Sequence, residues 1–180
     1  MVMVKYGAMR RWLLWIVVLT TFDQATKRLA ETLLSFATPV EILPSLNLML
    51  TYNEGAAFSL LSDAGGWQRW FFIVIAVAIC AYIIRWLSQL QANQVYTARA
   101  LVLIVSGGLG NVIDRILFAK VTDFIDVYYI SQEQCLPLFF NWSQISCHWP
   151  TFNVADILIC LGTALLLTQI LRENRSNGTD

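Results

Sequence analysis

Charge is scarce in this chain, and histidine is almost missing. Lys and Arg number 12, Asp and Glu 12, and together they make up 13% of 180 residues, about half the share a soluble domain carries. The two signs cancel, so the charge balance gives no reason to propose nucleic acid as a partner. His148 stands alone, and the cysteines show no ligand spacing around it, which argues against a zinc site. Neither an internal repeat nor a low-complexity stretch is present, and the sequence reads as one domain over residues 1–180.

What replaces charge is apolar length. Hydrophobic residues make up 57% of the chain, and mean hydropathy is +0.59. They gather into four segments, at about 12–34, 67–90, 98–118 and 154–171. A helix needs about 20 residues to cross a hydrocarbon core of roughly 30 Å, and these runs suit that length. The first also resembles a cleaved signal peptide, with Lys5, Arg10 and Arg11 ahead of an apolar stretch. Against that, Asp23-Gln24-Ala25-Thr26-Lys27 follows where a small-residue cleavage site belongs. Ala25, Leu29, Ala30, Leu33 and Leu34 then keep a helical spacing, so the segment is taken as one long helix.

Four spans put both termini and the loop near 86–98 on one side. That side carries Lys5, Arg10, Arg11, Arg85, Arg99, Arg172 and Arg175 on short flanks, the cytoplasmic signature. All acids except Glu173 and Asp180 then fall towards the outer face. Two outer loops follow, at 35–66 and 119–153. The first holds Val40-Glu41-Ile42-Leu43, Pro44, and Leu46 to Tyr52, read as a short β-hairpin. The second is rich in aromatic residues suited to the headgroup level, and holds Cys135 and Cys147, for which a disulfide and two free thiols both stay open. The basic tail after Arg172, which ends in Ser176-Asn177-Gly178-Thr179-Asp180, reads as disordered.

Asp23, Asp114, Asp123 and Asp156 lie at or near span ends on the outer side. An aspartate at the bilayer centre costs about 2.5–3.5 kcal/mol, so four are a poor way to build a purely structural bundle. Each has company. Asn111, Asp114 and Arg115 share one helix face, Asn153 and Asp156 share another, and Asp23 and Lys27 stand one turn apart. Gly107, Gly108 and Gly110 precede Asn111 and suit close helix packing or close approach of a substrate. Two neighbouring carboxylates cannot both ionise cheaply. One can then draw a proton from water while the other polarises a carbonyl, the aspartic protease scheme, which needs neither metal nor cofactor. Proton relay or ion transport is the rival use of such groups, but transporters place them at midplane on broken helices.

Five stretches, in order, resemble the signal peptidase II family. They are Asp23-Gln24-Ala25-Thr26-Lys27, Asn53-Glu54-Gly55-Ala56-Ala57-Phe58-Ser59, Gly110-Asn111-Val112-Ile113-Asp114-Arg115, Val121-Thr122-Asp123-Phe124 and Phe152-Asn153-Val154-Ala155-Asp156. The resemblance covers nearly the whole chain. It implies an all-α membrane core of four transmembrane helices, with a small extracytoplasmic β-cradle and an outer flap. It implies a catalytic pair of Asp123 and Asp156, with Asp23, Lys27, Asn53, Gly55, Asn111, Asp114, Arg115 and Asn153 in supporting or substrate-binding roles. Asp126, close behind Asp123, is a rival that does not complete the motif. The implied substrate is a diacylglyceryl prolipoprotein cut just before its lipidated cysteine. The implied setting is the bacterial inner membrane, in contact with its lipids, as a monomer with its active site towards the periplasm. Two departures stand out: Ser106-Gly107-Gly108-Leu109 differs from the family's small-residue run, and 131–149 is longer than expected between the last two motifs.

Overall fold

The computed structural model describes residues 2–54, 67–131, 135–136, 140–143 and 146–177, with backbone only at 2–8, 140–143 and 173–177. Gly55 and parts of the long 131–149 stretch therefore lie outside the described residues. Four helices form the body: α1 (Val2–Leu33), α2 (Trp67–Gln89), α3 (Val95–Phe118) and α4 (Val154–Asn177). Five strands form one sheet: β1 (Val40–Leu43), β2 (Leu46–Asn53), β3 (Val121–Ile130), β4 (Phe140–Ser143) and β5 (Ser146–His148). Their order is β1-β2-β3-β5-β4, and every pairing is antiparallel.

By length and composition, α2, α3 and residues Val154–Arg172 of α4 can each cross a membrane. Large apolar side chains point outward along them, among them Val74, Tyr82, Leu161 and Leu167. In water such a surface would be an aggregation liability, and in lipid it is the ordinary state of a multi-pass membrane protein. Helix α1 is longer, but Asp23, Lys27, Arg28 and Glu31 interrupt its apolar run. At the end of the bundle away from the sheet, Ile16 packs with Ile83, Leu87, Ala98, Leu101, Val102 and Val105.

Three local features aim the chain at the site. The first is Ala119, which takes left-handed φ of 62°, ends α3 and turns the backbone into β3. Pro44 and Ser45 make the β1–β2 turn, with Ser45 at φ 70°. Finally, α3 and α4 pack closely at Gly107, where a methyl group would strike the backbone carbonyl of Ala155. Gly107→Ala should therefore push α4 off α3 next to Asp156. We expect a lower thermal midpoint in detergent, as overpacking of a tight contact typically costs about 1–3 kcal/mol. An unchanged midpoint would mean the contact is slack.

Two expectations change. Among the described residues of 119–153, most are strand: β3 alone takes ten residues, Val121–Ile130, and β5 and β4 extend the sheet beyond it. Both faces of β3 are covered, so Asp123 and Asp126 are buried where alternation would place polar residues outside. The tail is helical through Asn177, as the polar run after Arg172 continues the last turns of α4. Cys135 and Cys147 are joined in a disulfide.

Candidate active site

Asp123 and Asp156 reach the site from different elements. Asp123 lies on β3, paired with Thr51 of β2. Asp156 lies in the first turn of α4, where it forms a reciprocal cap with Asn153. The Asp156 N–H donates to Asn153 Oδ1 at 3.1 Å, and the Asn153 N–H donates to Asp156 Oδ2 at 3.2 Å. That exchange satisfies helix-end donors with short polar side chains three residues apart. It also fixes the carboxylate of Asp156 at the start of the helix.

Two amides link the carboxylates. Asn153 Nδ2 donates to Asp123 Oδ1 at 2.6 Å and to Asn111 Oδ1 at 3.3 Å. Asn111 Nδ2 donates to Asp156 Oδ1 at 2.8 Å. The orientation of Asn111 is set by chemistry. Its Oδ1 faces Lys27 Nζ at 2.9 Å, and an ammonium group can only donate. With the oxygen held there, the Asn111 amide nitrogen must face Asp156.

Lys27 is fully buried and holds a cluster beneath this pair. Its Nζ sits 2.9 Å from Asp23 Oδ2 and 2.9 Å from Asp114 Oδ2, and both of those carboxylates are also fully buried. Asp23 Oδ1 in turn accepts the N–H of Ala155 at 2.8 Å, which ties α1 to the start of α4. Asp114 also accepts from Gln24 at 3.1 Å and from Arg28 at 3.2 Å. Glu31 pairs with Arg28 and accepts from the Thr122 hydroxyl at 2.7 Å. Arg115 donates to the Asn111 carbonyl at 3.3 Å and lies over the Phe72 ring. Among the described residues, no group of three or more His, Cys, Asp or Glu side chains is arranged to hold a metal ion.

Burial, and then the neighbouring Asp156 carboxylate, push the pKa of Asp123 up to about 7. The Asn153 hydrogen bond and the charges of Lys27 and Arg115 act in the opposite direction and are outweighed. A carboxyl group that keeps its proton near neutrality can serve as a general acid, beside a partner able to act as base.

Of the residues singled out in the sequence, Asn111 and Asn153 bond directly to the two aspartates, Lys27 bonds to Asn111, and Asp23 and Asp114 surround Lys27. Asn53 ends β2 opposite Val121. Asp126 is elsewhere, held by Asn47 and His148. Sequence reasoning missed Gln24, Arg28 and Glu31. With Lys27 they form a polar stripe at i, i+3, i+4 and i+7 on an apolar helix, a signal open to inspection. Thr122 had no comparable signal.

Residues 15–172 match a family model described as signal peptidase (SPase) II. A lipoprotein signal peptidase of Aeromonas hydrophila is 44% identical over 167 residues, covering 92% of this chain and 90% of its own. One from Hydrogenovibrio crunogenus is 46% identical over 156 residues, covering 87% and 81%. A solved structure of a bacterial membrane enzyme, determined by the in meso method at 1.9 Å resolution, superposes with a TM-score of 0.71. It shares 28% identity and covers 89% of this chain and 92% of its own.

Proposed function

The chain belongs to the signal peptidase II family, and on that premise we propose that Asp123 and Asp156 are the catalytic pair with which it removes signal peptides from prolipoproteins. The observation that carries this reading is the amide bridge. Asn153 donates to Asp123 and Asn111 donates to Asp156, so two segments distant in sequence hold two carboxyl groups around one position. Asp23, Lys27, Asp114 and Arg115 stiffen that bridge. Asn53 supports it from β2, as does Gly55, which the family motif places beside it.

A water molecule between the carboxyl groups gives up a proton to Asp156 as its oxygen attacks the scissile carbonyl. Asp123 donates its proton to the carbonyl oxygen, and a neutral tetrahedral intermediate forms. Asp156 then passes its proton to the departing nitrogen, Asp123 recovers one from the intermediate, and the C–N bond breaks. Each proton is accounted for, and no covalent enzyme intermediate arises. The substrate we assign is a diacylglyceryl prolipoprotein cut just before the lipidated cysteine. Its acyl chains would lie among the helices, with lipid contact supplying much of the recognition.

We further propose that α1 is the fourth span, with its polar stripe turned towards protein rather than lipid. The chain then forms one domain in the bacterial inner membrane, with cytoplasmic termini, the sheet as a periplasmic cradle and an adjoining flap, and it works as a monomer. The deciding experiment is cleavage of a lipidated lipobox peptide by the purified protein in detergent. No cut at the cysteine would remove the substrate assignment.

The pH dependence has a definite sign. Asp123 must carry its proton, and that proton leaves as pH rises through about 7. We expect kcat/KM to fall above that point by about tenfold per pH unit. A rate that stays flat to pH 9 would contradict Asp123 as the acid.

A further inference from the structure

Outside the site, β3 carries a second buried carboxylate with a full set of partners. Asp126 is completely buried, and His148 is nearly so. His148 Nδ1 lies 2.8 Å from Asp126 Oδ1 and 3.0 Å from Oδ2, while Asn47 Nδ2 donates to Oδ2 at 2.8 Å. Tyr128 stacks on the imidazole at 5.3 Å. One carboxylate therefore joins β2, β3 and β5.

We propose that Asp126 and His148 are positioning residues for the peptidase reaction, fastening the segment that leads into α4 against β3 and so fixing the separation of Asp123 and Asp156. The inference rests on the reading of those two as the catalytic pair. The connecting segment is short and bound to β3 at Trp149 and Phe152. Trp149 N–H donates to the Val127 carbonyl at 2.8 Å, Phe152 N–H to Ile125 at 3.0 Å, and the Ile125 and Phe124 amides return to the Phe152 carbonyl at 2.9 and 3.1 Å. Pro150, between them, has no N–H to contribute. His148 is the last residue of β5, at the head of this lacing, and Asn153 and Asp156 stand at its foot. Asp126 stands three residues from Asp123 on a strand that successive side chains leave on opposite faces. Its contact thus holds the strand from behind while Asn153 holds Asp123 in front.

Ser146 Oγ lies 3.1 Å from His148 Nε2, completing a row of Asp, His and Ser. A nucleophilic site also needs backbone donors aimed at a substrate oxygen. β5 lies between β3 and β4 and pairs with both. Among the described residues the row is placed as a joint between strands.

The test compares His148→Ala, His148→Asn and Asp126→Asn by the pH profile of kcat/KM on a lipidated peptide. Asparagine can place an N–H near the position of imidazole Nδ1, so His148→Asn should restore what His148→Ala loses. Opening the dyad weakens the repulsion from Asp156 that helps hold the proton on Asp123, whose other charged neighbours are Lys27 and Arg115. The alkaline limb of His148→Ala and of Asp126→Asn should therefore move to lower pH by about one unit, and kcat should fall by on the order of tenfold. Neither His148 variant retains an imidazole, so a difference between them cannot come from its titration. Simple loss of folded protein would lower the rate equally at every pH, and a limb left in place in all three variants overturns the proposal. Glu41→Gln, on the exposed strand β1, is the control and should leave the limb unmoved. An active Asp123→Asn enzyme would overturn the dyad reading instead, and this inference with it.

Discussion

Asp123→Asn and Asp156→Asn should each leave a diacylglyceryl prolipoprotein uncut while the protein still folds and inserts. General acid and base catalysis contributes about 10²–10⁴-fold per group, and each substitution removes one of the two groups. We therefore expect losses of roughly 10³-fold or more in single-turnover cleavage. Folding should survive because asparagine keeps the shape and one acceptor oxygen. At 123 that oxygen can still take the 2.6 Å hydrogen bond from Asn153, and at 156 it can still accept from Asn111 or from the Asn153 amide. Thermal midpoints close to that of the parent, with cleavage abolished, would separate chemistry from stability. Normal processing by either variant would end the assignment.

Lys27→Met should produce the largest loss of stability. The lysine is wholly buried between Asp23 and Asp114, and removing it leaves two buried carboxylates without their shared cation. Breaking a buried ion pair from one side costs about 3–5 kcal/mol, and here two pairs break together. Catalysis should suffer too, because only the 3.3 Å bond from Asn153 then keeps the Asn111 oxygen away from Asp156. The double variant Asp23→Asn/Lys27→Met should recover part of the lost stability, since one uncompensated charge is gone. Equal destabilisation in the single and double variants would argue that Lys27 acts by packing alone. Denaturation in detergent micelles, followed by tryptophan fluorescence, measures both.

The body of the fold was legible because membranes impose length. The ends of α2 and α3 fall within a few residues of the apolar runs. The hairpin of β1 and β2 was legible from Pro44 between two β-rich stretches. Strand β3 was not, because Asp123 and Asp126 bury charge on both faces and erase the alternation that marks a strand. The site was half legible. Spacing put Asn111, Asp114 and Arg115 on one face, yet beyond their shared partner Lys27, Asn111 turns to Asp156 while Asp114 turns to Arg28. No local pattern reveals that Asp126 meets His148 across 22 positions, or that Asp23 meets the Ala155 amide across 132. Those contacts depend on sheet order and helix crossing, which a single sequence does not state. The pair proposed as catalytic rests on family motifs rather than on geometry, and Asp126 shows why: it is as buried as Asp123 and only its partners tell the two apart.

The covalent bridge between Cys135 and Cys147 works as a postmark. Such bonds close in oxidising compartments and stay open in a reducing cytosol. On the outward placement proposed for that half, a molecule bearing it is one whose sheet has crossed the bilayer. Newly made copies still awaiting translocation would carry two thiols there. The ratio of bridged to unbridged chains in a cell thus keeps count of how many have arrived.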